Sequence, residues 1–287
     1  MAKKSVNPIV DTAPEAFGPL FDSHSHINGS EFDGDREAVV GRMRAAGLVG
    51  AVTIACDWDE IEKLHEVVGL APGFLYGAWA LHPEYEERRE PTVEEIIRIC
   101  SADDIVAVGE TGLDYYWCKG DLTWQKERFV RHIEAAKALG KPVIVHAREA
   151  EADALEILIA HDAASCGFVL HCFGGNLETA QKAVEAGGLV SFTGVLTFKS
   201  AQNLRDVVRE LPLEALMIET DCPYMAPVPW RGRRCEPALV GAVAGTIAEV
   251  KGLEPAEVAR VTAATARRFF HLEEESPLAA HAAPVQS

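Results

Sequence analysis

Imidazole and carboxylate side chains recur along this chain at the ends of short apolar segments. The set comprises His24, His26, Glu110, His146, His171 and Asp221. Such nitrogen and oxygen donors suit Zn²⁺, Mn²⁺ or Co²⁺ and, with more water ligands, Mg²⁺. His24 and His26 are two residues apart, so in an extended segment both rings project to the same side and can reach one ion. These residue types and this spacing therefore predict a divalent metal site.

Each of these residues also has a structural interpretation. A single His-x-His pair is weak evidence for a metal, and a buried histidine taken alone is more often a hydrogen-bonded structural residue. A Glu or Asp after an apolar strand is different, because a buried charge is costly unless it is paired or bound to metal. Six such groups at one edge of a fold favour the metal site, and a shared carboxylate would allow two ions to be held.

The apolar segments have the character of strands that are buried on both faces. Eight of them occur, at residues 19–22, 49–55, 74–81, 105–110, 143–147, 168–173, 189–194 and 215–221. Amphipathic stretches between them predict helices, among them 92–100, 122–139, 177–186 and 201–210. Strands and helices that alternate eight times predict an α/β fold, a TIM-type (β/α)8 barrel rather than a doubly wound sheet. A barrel collects the carboxyl ends of its strands on one rim, where the six residues would meet.

Length and composition are consistent with one barrel domain. The chain has 287 residues, of which 48% are hydrophobic. We expect a single domain at 21–272, with closing helices in 237–270 and flexible ends at 1–20 and 273–287. The net charge of −17 argues against a protein that coats nucleic acid nonspecifically, but a local cationic patch or bound metal could still attract a phosphate chain.

The cysteines and the apolar pattern together predict a cytoplasmic protein. The seven cysteines are odd in number, scattered and without a CxxC pair, which suits reduced thiols better than a disulfide framework. No apolar run is long enough to span a bilayer, and residues 1–20 lack the apolar core of a signal peptide. We therefore expect neither export nor association with a membrane.

Six short motifs carry more specific information. They are DSHSHIN (22–28), LHPE (81–84), GETGLDYY (109–116), VIVHAR (143–148), LHCFGG (170–175) and IETDCPYMAPVPWRGRRCEP (218–237). In order and spacing they resemble the TatD family of metal-dependent hydrolases within the amidohydrolase superfamily, over nearly all of the chain from Phe21 to Leu272. The resemblance implies a TIM-like barrel and phosphodiester hydrolysis, often by a 3′ to 5′ exodeoxyribonuclease that acts on single strands.

The resemblance also implies a ligand set for two divalent ions, with Mg²⁺, Mn²⁺ and Zn²⁺ as candidates. One ion would be held by His24, His26, Glu110 and Asp221, and the other by Glu110, His146 and His171. The expected reaction is attack on phosphorus by a water that the ions activate. Asp221 is the candidate base that orients and deprotonates this water, and Glu110 is the second candidate catalytic carboxylate.

Substrate binding and support of the ligands involve further residues. Donors to phosphate are expected from His82, Arg148 and a cluster of Arg231, Arg233 and Arg234, although arginines near Pro and Gly also suit a solvated loop. Asp114 and Glu219 are expected behind the ligands, where they would orient imidazole rings or a phosphate-binding arginine. Aromatic residues that could stack on exposed bases, unless they are simply buried in loops, are Tyr115, Tyr116, Trp117, Tyr224 and Trp230.

Two other functions compete with an exonuclease that acts on single-stranded DNA or RNA ends. A small-molecule amidohydrolase could cleave an amide, ester or lactone on the same metal site. Many two-metal amidohydrolases use a carbamylated Lys on strand four, whereas this chain has Glu110, which favours the nuclease. A binding protein without catalysis is disfavoured because all six candidate positions are filled. Cys235, where the family motif usually has Asn, bears on substrate fit rather than on metal binding.

Overall fold

The computed structural model describes residues 17–272. Within them, eight parallel strands form one sheet in chain order. The strands are β1 (Leu20–Ser25), β2 (Leu48–Ala55), β3 (Leu75–Trp79), β4 (Ile105–Asp114), β5 (Val143–Arg148), β6 (Phe168–Leu170), β7 (Leu189–Phe192) and β8 (Leu216–Ile218). Residues 1–16 and 273–287, which make up most of the two predicted flexible ends, lie outside the described residues.

Helices follow the strands. In the described residues they are α1 (Arg36–Ala45), α2 (Ile61–Val68), α3 (Val93–Cys100), α4 (Thr123–Leu139), α5 (Glu151–Ala160), α6 (Leu177–Glu185), α7 (Gln202–Glu210), α8 (Val240–Lys251) and α9 (Pro255–Phe269). The start of α3 is set by a capping box, in which the side chains of Thr92 and Glu95 each accept the other's backbone N–H. No helix in residues 17–272 is both long and apolar enough to cross a membrane.

The sheet closes on itself at the strand ends that carry the first predicted ligands. Asp221 N–H donates to the His24 carbonyl over 2.9 Å, and His26 N–H donates to the Cys222 carbonyl over 2.9 Å. These bonds join the end of β1 to the segment after β8. The (β/α)8 barrel expected from the alternation of apolar and amphipathic segments is therefore confirmed.

Apolar side chains from opposite strands fill the barrel. Phe21 of β1, Ile54 of β2, Ile144 of β5 and Met217 of β8 belong to one buried cluster and are at most 1% exposed. Each such side chain contributes roughly 1.5–3 kcal/mol when it leaves water. The larger cluster lies between the strands and the surrounding helices. This packing holds the strand ends rigidly, so the polar side chains on the rim have fixed positions.

Two strands extend at least three residues beyond their predicted ends. β1 continues to Ser25, so His24 lies inside it rather than after it. β4 continues to Asp114, so Glu110 lies in the middle of the strand and not at its end. Gly112 makes this extension compatible with pairing to β5, because a Cβ atom there would lie 2.0 Å from the His146 carbonyl oxygen. Only a residue without a side chain allows the two strands to approach so closely.

Candidate metal centre

The first group of ligand atoms comes from β1, β4 and the segment after β8. The Nε2 atoms of His24 and His26 are 3.2 Å apart. Glu110 Oε2 lies 3.3 Å from His24 Nε2 and 3.6 Å from His26 Nε2. Asp221 Oδ1 lies 3.4 Å from His26 Nε2 and 3.8 Å from His24 Nε2. Four donor atoms from three distant parts of the chain therefore lie close together.

The spacing of these four atoms fits a divalent ion. Adjacent ligands of a tetrahedral ion with bonds of about 2.0–2.1 Å lie roughly 3.3–3.4 Å apart, and the five separations given above, 3.2–3.8 Å, bracket that value. The tautomer of His26 is also suitable, because its Nδ1 lies 3.1 Å from the Ile54 carbonyl oxygen and can only donate to it. Its Nε2, which faces Asp221 at 3.4 Å, is therefore the nitrogen at which a metal would replace a proton.

The second group of ligand atoms gathers around the other oxygen of the same carboxylate. Glu110 Oε1 lies 2.7 Å from His171 Nε2, 2.8 Å from His146 Nδ1 and 3.3 Å from His82 Nε2. The two oxygens of Glu110 thus face two different sets of imidazoles. Because a carboxylate has lone pairs on both oxygens, this side chain can bridge two ions.

Electrostatics keeps this carboxylate ionised although it is only 4% exposed. Burial raises the pKa of Glu110, but the charge of His171 and His82 and hydrogen bonds from His146 and His171 outweigh burial and hold that pKa well below its ordinary value. Burial and the charge of His171 lower the pKa of His24. Within the described residues, His24 Nδ1 is buried and makes no hydrogen bond.

Two further carboxylates stand behind the imidazoles. Asp114 Oδ2 lies 3.0 Å from His146 Nε2, so both ring nitrogens of His146 face carboxylate oxygens. Glu219 Oε1 lies 3.5 Å from His171 Nδ1 and accepts the Cys172 backbone N–H over 2.6 Å. The contact with Asp114 fixes the orientation of the His146 ring. Asp114 and Glu219 thus lie behind the rings of His146 and His171, and their role in orienting ligands stays a prediction.

A cavity of about 840 Å³ opens over the two groups of ligand atoms. Its size falls in the range of small-molecule sites. His82 and Arg148, two of the expected phosphate donors, line this cavity. Arg231 and Arg233 are exposed, and neither is among the described residues that line it. The Arg231 guanidinium instead lies 4.2 Å from the ring centre of Phe198.

Arg234, the third member of the arginine cluster, is held inside the protein. Its guanidinium donates to both carboxylate oxygens of Asp35 at 2.8 Å and to Glu236 at 2.7 Å. The same group donates to the Glu31 carbonyl over 2.8 Å. Arg234 therefore ties the loop after β8 to the loop after β1 and does not face the cavity.

Two of the residues close to the candidate ligands were not singled out from the sequence. The Cys56 thiol lies 3.7 Å from Glu110 Oε2 and lines the cavity, and Glu84 falls in a group of donor atoms with Asp114 and His146. Cys56 directly follows β2, so attention to every strand end would have found it. Burial and the charge of Glu110 raise the pKa of the Cys56 thiol well above its ordinary value.

Structural roles explain His132 and Cys222. His132 is fully buried, where it accepts the Leu81 N–H over 3.2 Å and faces the Arg128 carbonyl over 2.8 Å. Arg128 in turn donates to the His82 carbonyl over 2.7 Å. This pair thereby holds the loop that carries His82 to the centre. Cys222 is fully buried beside the closing strands.

The predicted aromatic residues divide between the surface and the interior. Tyr115 and Trp230 are partly buried and pack against the core. Tyr116, Trp117 and Tyr224 are exposed by 44%, 60% and 61%. Trp117 and Tyr224 line the cavity, which places large apolar rings in solvent beside the candidate ligands.

Comparison with known proteins gives one consistent result. A family model described as TatD related DNase matches residues 21–271. The uncharacterized metal-dependent hydrolase YcfH of Escherichia coli (strain K12) is 38% identical over 257 residues, which cover 88% of this chain and 96% of that protein. The 3′-5′ ssDNA/RNA exonuclease TatD of Erwinia billingiae is 29% identical over 259 residues, covering 88% and 99%. The crystal structure of YjjV, a TatD homologue of Escherichia coli K12, matches with a TM-score of 0.80 and 27% identity, covering 88% and 98%.

Proposed function

This chain belongs to the TatD-related DNase family of metal-dependent hydrolases, and we propose that it is a 3′ to 5′ exonuclease acting on single-stranded DNA ends. The observation that carries the proposal is the position of Glu110, whose two oxygens face separate sets of imidazoles. Two divalent ions that share one carboxylate are the arrangement by which many nucleases hold both sides of a phosphodiester. RNA ends offer the same phosphodiester chemistry.

Each ion has its own proposed ligand set. His24, His26 and Asp221 would hold one ion together with Glu110 Oε2, and His146 and His171 would hold the other with Glu110 Oε1. When bound, such ions supply Lewis acidity and lower the pKa of water, so that attack on phosphorus becomes feasible at neutral pH. Mg²⁺, Mn²⁺ and Zn²⁺ are all compatible with this mixture of imidazole and carboxylate donors.

Asp221 has the properties that a general base requires. It lines the cavity and is 8% exposed. Burial raises its pKa, but a hydrogen bond from His26 and the charge of His24 outweigh burial and lower that pKa below the ordinary value. The carboxylate is therefore ionised at neutral pH, so we propose that it orients the attacking water and accepts its proton.

Binding of the phosphate chain is assigned to residues on the same rim. Arg148 and His82 line the cavity and can donate to phosphate oxygens. Arg231 and Arg233 are exposed on the loop after β8. They are proposed to contact the nucleic acid strand farther from the reacting phosphate. The relative from Erwinia billingiae, named as a 3′-5′ ssDNA/RNA exonuclease, supports both the polarity and the preference for single strands.

A metal-replacement assay tests the proposed function. The protein is stripped with chelator and reloaded singly with Mg²⁺, Mn²⁺ or Zn²⁺, and release of mononucleotides from strands labelled at either end is measured. We expect metal-dependent release that starts at the 3′ end. Absence of cleavage with every ion, together with turnover of a lactone, ester or amide, would replace the nuclease with a small-molecule hydrolase.

The role of Asp221 is tested separately with Asp221→Asn. We expect a loss of kcat of at least about a hundredfold, the scale of general base catalysis, with the fold retained. Asp59→Asn is a matched control, because Asp59 is exposed and pairs with Arg88 outside the cavity. Activity near that of the wild type in an Asp221→Asn protein with the same metal content would contradict the assignment.

A further inference from the structure

Two exposed aromatic rings stand at the edge of the cavity, outside the groups proposed to hold metal and phosphate. Tyr116 and Trp117 follow the end of β4, and their rings meet edge to face, with centres 4.7 Å apart and planes at 88°. Trp117 lines the cavity and is 60% exposed. Tryptophan is rarely left so open to water unless its face is used for contact. The ring is thus an apolar surface next to the candidate metal centre.

An arginine that forms no ion pair within residues 17–272 rests on the same two rings. The Arg148 guanidinium lies 4.2 Å from the ring centre of Tyr116 and 5.5 Å from that of Trp117. Among the described residues its side chain makes no ion pair and no hydrogen bond, and it lines the cavity. A guanidinium carries five N–H donors in a planar fork. Stacking therefore holds this group in place while its donors remain available to an anion.

Asp114 connects the aromatic pair to the metal centre. Its Oδ1 accepts the backbone N–H groups of Tyr116 over 2.9 Å and Trp117 over 2.6 Å. Its Oδ2 lies 3.0 Å from His146 Nε2. One fully buried carboxylate thus fixes both the turn that presents the rings and an imidazole of the centre. The backbone of this turn cannot shift relative to His146 without breaking these bonds.

We propose that Tyr116, Trp117 and Arg148 form a nucleotide platform, on which one nucleobase stacks against Trp117 while Arg148 donates to an adjoining phosphate. The inference rests on the proposed nuclease function and adds the means by which the substrate is selected. Stacking accepts every base because each has a π face. A base inside a duplex has both faces covered by its neighbours, so the platform favours single strands and frayed ends without reading sequence.

The test combines changes in the protein with removal of single bases from the substrate. Labelled single strands are prepared with one abasic site placed in turn at each of the terminal positions, and KM and kcat are measured with the metal-loaded enzyme. In the wild type we expect one position at which the abasic site raises KM about tenfold, the scale of one stacked base. In Trp117→Ala we expect a similar rise in KM for the intact strand and no further rise from the abasic site.

Two variants separate stacking from general disturbance of the loop. Trp117→Phe retains an aromatic face, so the abasic site should raise KM in this variant nearly as much as in the wild type. Arg89→Ala is the matched control for Arg148→Ala, because Arg89 also stacks on a tryptophan, Trp58, at 4.1 Å and is outside the cavity lining. We expect Arg148→Ala to raise KM about tenfold for every strand, with Arg89→Ala within twofold of the wild type.

The platform would be overturned if the abasic site raised KM in Trp117→Ala as much as in the wild type. It would also be overturned if the abasic site raised KM at no position in the wild type. Failure of the proposed function has a different signature, since no strand would be cleaved with any ion. In that case fluorescence anisotropy of the same strands with the metal-loaded protein tests the platform alone. If the abasic site raises Kd tenfold in the wild type and not in Trp117→Ala, the result supports the platform. If it raises Kd equally in both proteins, the platform is overturned.

Discussion

Replacement of Glu110 by Gln is the most direct test of the shared carboxylate, because it removes the charge while nearly preserving the shape. Glu110 Oε1 faces three imidazole nitrogens at 2.7–3.3 Å, and Oε2 faces two at 3.3–3.6 Å. Glutamine offers one acceptor oxygen, and its NH₂ group must then face the other set. At most one of the two groups of ligand atoms can therefore keep a bond to this side chain.

The size of the effect follows from burial. Glu110 is 4% exposed, so solvent water cannot compensate for the interactions that the lost carboxylate charge made. Removal of one partner from a buried charge pair costs about 3–5 kcal/mol, which corresponds to a loss of roughly two to four orders of magnitude in metal affinity. We expect Glu110→Gln to retain at most one ion per chain and to lose most of the thermal stabilisation that metal gives the wild type.

Metal content is measured by mass spectrometry after dialysis against a graded series of chelators, and the melting temperature is followed as each ion is added. Glu178→Gln is a suitable control, because Glu178 is exposed and pairs only with Lys182 among the described residues. If Glu110→Gln held two ions with the affinity of the wild type, the shared carboxylate would be refuted. A proportional loss in Glu178→Gln would show a general effect of charge instead.

Three further predictions concern stability and substrate binding. Burial lowers the pKa of His132 from 6.5 to about 4. Between these pH values the unfolded chain gains a proton at His132 that the folded chain does not, so His132 should contribute a fall of about 3 kcal/mol in the free energy of unfolding as the pH drops through this window. The contribution is measured as the difference between the urea unfolding profiles of the wild type and His132→Gln. Gly112→Ala should lower the free energy of unfolding by roughly 3 kcal/mol or more in the same assay, because its methyl group would lie 2.0 Å from a backbone oxygen. Gly41→Ala, in open space on α1, should be neutral or stabilising. Equal effects of the two substitutions would contradict the packing argument. Arg148→Ala should raise KM for single strands more than Arg231→Ala does, since only Arg148 of the two lines the cavity; the reverse order in steady-state kinetics would contradict that geometry.

Most of the barrel could be predicted from local properties of the chain. Continuous apolar segments identified all eight strands, and their alternation with amphipathic segments determined the fold. The boundaries were less predictable, because strand length depends on pairing. β4 extends past Glu110 since Gly112 permits close contact with β5, and hydrophobic pattern alone does not reveal that contact.

The arginines show why site residues differ in predictability. Arg231, Arg233 and Arg234 are equivalent by composition, yet Arg234 is buried because Asp35, almost two hundred residues earlier, supplies its partner. Arg148 is left to the cavity because the rings of the β4 loop lie beneath it. Such differences depend on contacts between segments that are far apart in the chain, so no local pattern predicts them.

The sequence by itself indicated which strand regions would carry His24, His26, Glu110 and their companions, because residue type and hydrophobic period are properties of the chain alone. The tertiary structure decided how they meet: Glu110 divides its two oxygens between two groups of imidazoles, and Asp114 holds both His146 and the turn that presents Trp117. These arrangements require separations of a few ångströms between side chains from different strands. Only the register and closure of the barrel set such distances.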